Sequence, residues 1–446
     1  MASFLVILSI SLMKDAVELE DAEQAYYSQW WRWGYDDQPP LYTWLQKGIN
    51  GILGVSKVSF SILRGLIFAS FLVVLYRFAK QFLEYSAKAT LVILMLICIP
   101  VFIDFTFRRL SHTALLCLVI VANYWVILRL ILKKSLLNYL FLGLLLGMGL
   151  LTKYNFVLFL GALGLGVCID GTLRSVFFHP YMLLSTVLCG LLIFPHFNWL
   201  LENQEYFIEL QRSIRFKTGS SLQDGITLLA PFGTFLLTLV KYTIYLLALA
   251  GLMIFLKKWK LKKVPWEWFA KLLVCQLAVL LLFFMGLNVQ KVEARWLLPL
   301  LLPFLALLVK MLDIPNTGKW IKIGFYGFLA ILALQLIRTP AERLLGIPSD
   351  VHFGFSPISE KLRKDYPDQN WLLPDVTYGG NIRLLNPERE VFSEDDFSLP
   401  SKKKHPNNGV WIRTHMLDKN KETKYRLADS IMGFGRSRET LYFYQY

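Results

Sequence analysis

The chain has 446 residues and a formal net charge of +15, with 55% hydrophobic residues and 18% charged, against roughly 25% charged in soluble domains. Together with 33 Phe, 13 Trp and 20 Tyr and a mean hydropathy of +0.47, this excludes an ordinary soluble domain and identifies a membrane protein. Much of the positive charge falls in short loops between apolar runs, where it suits anionic lipid, and no motif supports a nucleic-acid partner.

Apolar runs near 1–13, 59–76, 89–103, 111–131, 136–151, 154–170, 181–200, 225–256, 268–286, 296–312 and 321–337 predict a polytopic α-helical protein with about eleven transmembrane helices. The stretch 136–170 reads as a tight pair or as one span plus a broken helix. The first run has no basic n-region and no convincing small-x-small cleavage site, so it is read as a span rather than a signal peptide. Basic residues recur in alternate loops: Arg77, Lys80 and Lys88, then Lys133 and Lys134, then Arg174, then Lys257 to Lys263, then Lys319 and Lys322. This pattern puts those loops and Met1 in the cytoplasm. Segments 14–58, 104–110, 201–224 and 287–295 and the tail then share the outer face, the periplasm of a bacterial inner-membrane protein.

Two parts are expected: a membrane module, 1–337, with its first outer loop at 14–58, and a small mixed α/β soluble domain, 338–446, facing the periplasm. In the tail, turn signals separate short candidate strands at "NWLLPDVTY", "GVWIRT" and "LYFYQY". Cys98, Cys117, Cys168, Cys189 and Cys275 lie in apolar runs without C-x-x-C spacing and read as small hydrophobes.

The first outer loop is chemically dense. Glu20, Asp21 and Glu23 follow the first span, where a carboxylate beside a low-dielectric wall can act as a general base; an acidic helix start is the plainer alternative. Tyr26, Tyr27, Trp30, Trp31 and Trp33 read either as an interfacial belt or, with Tyr35 in "GYDDQPP", as a rigid aromatic wall. A wall with acids suits a sugar, and Tyr26 and Tyr35 are the rings expected to face it.

The segment "DAEQAYYSQWWRWGYDDQPPLYTWL" resembles the first outer loop of the GT-C membrane glycosyltransferases, in the family of dolichyl-phosphate-mannose protein mannosyltransferases and bacterial lipid A aminoarabinose transferases. "LLTKYNFVLFL", with Lys153 and Tyr154, resembles the family's Thr-Lys-Tyr element. "EARWLLPLLLP", with Arg295 and Pro299, resembles its late Arg plus Leu-Pro element, and "YGGNIRLLNPE" resembles a terminal-domain segment of some bacterial branches. The resemblance implies transfer of a sugar from a polyprenyl-phosphate donor to a lipid, glycan or protein acceptor on the far side of the membrane. It implies no cofactor.

Departures from the pattern leave roles open. The family's acidic pair is Asp then Glu, whereas here Glu20 precedes Asp21; Asp21 is the first choice for the base, Glu20 the second, and Glu23 a neighbour one turn on. The family's acidic step before the fourth span is absent, and its counterpart is His112. Asp104 takes over that role, or Asp104, Arg108, Arg109 and His112 form a phosphate pocket; anchoring of the arginines at the lipid interface is the plainer reading. One His and one Asp supply too few ligands for a metal.

Arg295 lies opposite the basic cytoplasmic loops and needs a partner, either Glu293 or a lipid phosphate. Lys153 reads as a phosphate ligand or a snorkelling side chain. Inversion at the anomeric carbon follows if no carboxylate attacks first. A transporter or flippase is the main competing reading and predicts ionisable or broken-helix residues near the membrane midplane; a noncatalytic scaffold is the other.

Overall fold

The computed structural model describes residues 2–36, 38–108, 111–203, 205, 208–209, 212, 229–263, 267–347, 350–399, 409–417, 425–434 and 439–445. Helix α1 (Ala2–Met13) is apolar throughout, and a short extended link leads to α2 (Leu19–Tyr27). Glu20 and Asp21 occupy the first turn of α2, where the exposed N–H groups favour carboxylates. After the Pro39-Pro40 turn come α3 (Leu41–Leu53), closed by Gly54 at φ 73°, and α4 (Lys57–Leu83). A reciprocal cap between Ser56 and Ser59 starts α4.

The next elements are α5 (Ser86–Met95), α6 (Pro100–Arg108), α7 (His112–Leu132), α8 (Leu136–Thr152), α9 (Phe156–Ile169), α10 (Gly171–Phe177) and α11 (Met182–Glu202). They are followed by α12 (Leu229–Phe255), α13 (Trp268–Gly286), α14 (Ala294–Leu301), α15 (Leu305–Met311) and α16 (Thr317–Leu344). Two short strands, β1 (Lys260–Leu261) and β2 (Leu312–Asp313), pair antiparallel across the loops after α12 and α15.

Seven helices are long and apolar enough to cross a membrane among the described residues, or up to nine if each of two bent pairs is one span. The first pair breaks by 83° at Pro100 and the second by 113° before α10, where Asp170 accepts from the Thr172 and Leu173 amides. Against the expected count of about eleven, this criterion finds seven to nine among the described residues. Ala2–Met13 and Leu136–Thr152 are apolar helices of 12 and 17 residues, short of the ~20 that cover the hydrocarbon. Every apolar run read in the sequence is mainly helical where described, with a break at Ile99 in 89–103 and strand β2 beginning at Leu312. Of the seven, α7 is the most buried and α16 the most exposed, so α7 is the axis of the bundle and its N-terminus a fixed point.

The expected boundary at 337/338 falls inside α16, which continues to Leu344. Beyond it, α17 (Ser356–Asp365) and α18 (Val376–Leu385) accompany β3 (Asn370–Leu373), β4 (Val391–Ser393), β5 (Gly409–Arg413), β6 (Arg426–Phe434) and β7 (Glu439–Gln445). The strands form one mixed sheet in the order β4-β3-β5-β7-β6. Strand β3 pairs parallel with β4 and β5, and β7 pairs antiparallel with β5 and β6. The core of this domain unites Ile358, Trp371, Ile382, Val391 and Phe443 with Ala16, Tyr26, Tyr27 and Tyr35 of the first loop. The loop is thus part of the tail domain's hydrophobic core and clamps it onto the bundle.

Candidate active site

Helix α2 lies between the bundle and the tail domain, and its side chains sort by face. Asp21 is buried and its Oδ1 is ion-paired with Arg64 of α4; Oδ2 is buried and has no hydrogen-bond partner among the described residues. One residue earlier, Glu20 turns to the start of α7. Its Oε2 accepts from the Ser111 amide at 2.8 Å and the Ser111 hydroxyl at 3.1 Å, so the carboxylate caps the positive end of the central helix. Its Oε1 faces the Arg295 guanidinium at 3.7 Å, and its side chain keeps 20% of its exposure. Glu23, one turn on, is half-buried.

A second tier continues around the N-terminus of α7. Gln24 Nε2 lies 3.2 Å from His112 Nε2, whose Nδ1 is 3.2 Å from the Thr152 carbonyl. The buried ring of Tyr42 packs on His112 at 5.1 Å. Lys153 donates to the Thr113 hydroxyl at 2.8 Å. Tyr154 stacks on His196, with its hydroxyl 3.4 Å from Nε2, and His196 Nδ1 reaches the Trp33 carbonyl at 2.5 Å. The N-terminus of α7 therefore gathers a carboxylate, a guanidinium, an ammonium and an imidazole, at a helix end suited to anions.

Several sequence expectations are redistributed. Tyr26 and Tyr35 are buried and do not face a substrate space. Tyr26 donates to Asp396 at 3.1 Å and accepts from the Ser393 amide at 3.0 Å. Tyr35 donates to the Trp30 carbonyl at 2.6 Å and accepts from the Arg32 amide at 2.9 Å. Burial raises the Tyr26 hydroxyl well above its ordinary pKa and pushes Tyr35 up to about 12, keeping both protonated as donors: Tyr26 ties the loop to the tail domain, and Tyr35 ties the loop to itself.

Of the four residues weighed for a phosphate pocket, the three that are described, Asp104, Arg108 and His112, do not come together. Asp104 pairs with Arg338, and Arg108 donates to Glu342 at 3.0 and 3.1 Å and to Thr339 at 3.1 Å, so both face α16. His112 faces α2 and α8 instead, and Arg109 lies outside the described residues. Of the two partners weighed for Arg295, Glu293 is not the one it meets: Glu293 pairs with Lys291 at 2.8 Å, and Arg295 faces Glu20.

Sequence reasoning missed Arg64, Ser111, Thr113, Gln24 and Asn381. Arg64 had a usable signal, a lone guanidinium inside the apolar run 59–76, which must find a partner at that depth. Lys14 is also buried, donating to Glu18 at 2.9 Å and to the Arg108 carbonyl at 3.2 Å. Burial lowers its pKa, opposed by the charges of Glu18 and Asp21. No group of three or more His, Cys, Asp or Glu able to hold a metal occurs among the described residues.

An apolar bundle whose first long loop lays two carboxylates across the ends of α4 and α7, beneath a mixed sheet packed on that loop, has the architecture of the GT-C class. The same fold is found along 99% of the chain and 96% of ArnT from Cupriavidus metallidurans, solved bound to undecaprenyl phosphate, at a TM-score of 0.63 and 13% identity. Residues 37–199 match the model of the dolichyl-phosphate-mannose-protein mannosyltransferase family. Two lipopolysaccharide core galacturonosyltransferases of Rhizobium johnstonii are similar in sequence: RgtB, 33% identical over 43% of this chain and 39% of its own, and RgtA, 27% identical over 52% and 46%. The chain therefore spans less than half the length of the curated relatives it matches. The chain thus shares the GT-C fold and is similar in sequence to glycosyltransferases along part of its length.

Proposed function

We propose that the protein transfers a sugar from a polyprenyl-phosphate donor to an envelope lipid, glycan or protein acceptor at the periplasmic face of a bacterial inner membrane, with Glu20 as the base. The observation that carries this reading is the unequal state of the two neighbouring carboxylates. Asp21 is sealed as the counter-ion of Arg64, whereas Glu20 has one oxygen fixed by Ser111 and the other turned to Arg295 in partly open space. A base must come within hydrogen-bond reach of the acceptor hydroxyl, and Glu20 Oε1 can do so.

The acceptor oxygen attacks the anomeric carbon, the C–O bond to phosphate breaks, and Glu20 takes the hydroxyl proton. Arg295, Lys153 and the first N–H groups of α7 hold the departing phosphate. The likeness to galacturonosyltransferases supports a hexuronic acid as the sugar and a lipopolysaccharide core as the acceptor.

The test is transfer from undecaprenyl-phosphate-linked sugars, galacturonic acid first, by the parent, Glu20→Gln and Asp21→Asn. Glu20→Gln is expected to lose roughly 10²-fold to 10⁴-fold in turnover while donor binding persists. Turnover within a few-fold of the parent, in a variant that folds, overturns the assignment of Glu20.

A further inference from the structure

The end of the bundle far from Glu20 carries a groove that the transfer chemistry does not use. Its volume is about 980 Å³, and its walls are α4, α5 and α7. The lining is graded along α4. Leu72 and Val73, with Ile93 of α5, form the apolar depth; Tyr76, Arg77, Lys80 and Gln81, with Trp125 of α7, form the polar mouth. Arg77 lies 13 residues beyond Arg64, about 20 Å along the helix, so the mouth stands near the opposite membrane surface.

The mouth is cationic and preorganised. Trp125 donates its indole N–H to Gln81 Oε1 at 2.9 Å, which fixes the ring. The guanidinium groups of Arg77 and Arg129 lie 5.8 and 5.5 Å from its centroid. None of Arg77, Lys80 and Arg129 forms an ion pair with a described residue, although Glu84 stands at the rim one turn beyond Lys80. Lys133 and Lys134 follow at the end of α7. Three cations against one carboxylate leave net positive charge over a groove whose floor is apolar.

The geometry points to a binding site for one anionic phospholipid of the leaflet opposite the catalytic face, with its phosphodiester held by Arg77, Lys80 and Arg129 and its acyl chains along Leu72, Val73 and Ile93. Charge complementarity selects the headgroup, and the apolar floor selects an amphiphile over a soluble anion. A fixed indole at headgroup depth completes the site. Filled, the groove ties α4 to α7, the two helices that receive α2 at their other ends.

The test uses the full chain in a neutral detergent. Native mass spectrometry follows retention of dioleoyl-phosphatidylglycerol, with dioleoyl-phosphatidylcholine, undecaprenyl phosphate and inorganic phosphate as separate competitors. The parent is expected to retain one phosphatidylglycerol that neither phosphatidylcholine nor inorganic phosphate displaces. Arg77→Gln/Lys80→Gln is expected to weaken retention roughly 30-fold, two surface charges' worth, with the melting temperature of the lipid-free protein unchanged because both side chains are exposed. Equal retention by parent and double variant, or equal binding of phosphatidylcholine, overturns the site. Displacement by undecaprenyl phosphate in the parent but not in the double variant overturns the choice of phospholipid, as does displacement by inorganic phosphate.

Discussion

Asn381 holds Val17 by both of its backbone polar groups: its Oδ1 accepts from the Val17 amide at 2.8 Å and its Nδ2 donates to the Val17 carbonyl at 3.1 Å. Val17 precedes α2 by two residues, so the tail domain sets where the acidic helix begins. Next to Asn381, Gly380 lies against α2 so closely that an added Cβ would sit 2.0 Å from the Ala22 carbonyl oxygen, a backbone atom that cannot turn aside. Asn381→Ala strands both Val17 groups in a buried place and is expected to cost about 1–3 kcal/mol per orphaned group, and Gly380→Ala to displace α2. Both variants should melt earlier than the parent and transfer sugar more slowly even where folded. If either matches the parent in melting and turnover, the tail domain does not position α2.

The Asp21–Arg64 pair is a structural bond at the site's edge, and a double-mutant cycle separates it from catalysis. Arg64→Leu leaves the Asp21 carboxylate buried and unpaired, which is expected to destabilise by about 3–5 kcal/mol. Replacing both, Asp21→Leu with Arg64→Leu, should recover most of that loss, since apolar groups need no partner there. The measurement is thermal melting of the four proteins in one detergent. Additive losses would show that the two side chains do not depend on each other.

The helices were legible because an apolar run long enough to bury its backbone polar groups has little choice but to be helical in lipid; 268–286 and α13 agree at both ends. The bend at Asp170 was not, since Asp170 also needs Lys271, 2.7 Å away across the bundle. Arg338 looked like the end of the last span, but Asp104 and Glu342 meet its charge and α16 continues. In the tail, strands β3 and β5 fell within the segments read from turn signals and β7 began two residues before its segment, whereas "DVTY" became the start of α18 because Asp375 caps it through the Tyr378 amide. At the site, Glu20 and Asp21 stood out by type and position. Their difference did not, because Arg64 and Ser111 lie 43 and 91 positions away. Tyr26 misled for the same reason: an aromatic stripe looks alike whether a sugar or a domain 370 residues on covers it.

Lys14 gives a pH signature. Burial lowers its pKa from 10.5 in the folded state, so between that lowered value and 10.5 the unfolded chain binds more protons than the folded one. Its contribution to stability therefore rises with pH across that window and falls as pH drops through it. Lys14→Met lacks this slope. The melting temperature of the parent should gain on that of Lys14→Met as pH rises from 7.5 to 10.5, with both read in the same buffers. Parallel curves over the whole range would mean that Lys14 is not desolvated as described.

In the proposed reaction Arg295 stands between Glu20 and the departing phosphate. It faces Glu20 Oε1 at 3.7 Å with its side chain 37% exposed, close enough for attraction and too far for a hydrogen bond. A guanidinium held that loosely can turn its fork to a phosphate, whose two oxygens it matches as a lysine cannot. Arg295→Lys keeps the charge and loses the fork; Arg295→Gln loses both. Binding of undecaprenyl phosphate should weaken in the order parent, Arg295→Lys, Arg295→Gln, and turnover should fall in the same order. Melting should barely change, because a partly exposed ion pair contributes at most about 1 kcal/mol. The decisive comparison is lipid binding against melting on the same preparations. Parent-like binding of undecaprenyl phosphate by both variants, with lowered melting temperatures, would make Arg295 a structural partner of Glu20 and leave Lys153 and the α7 N-terminus as the phosphate's hold.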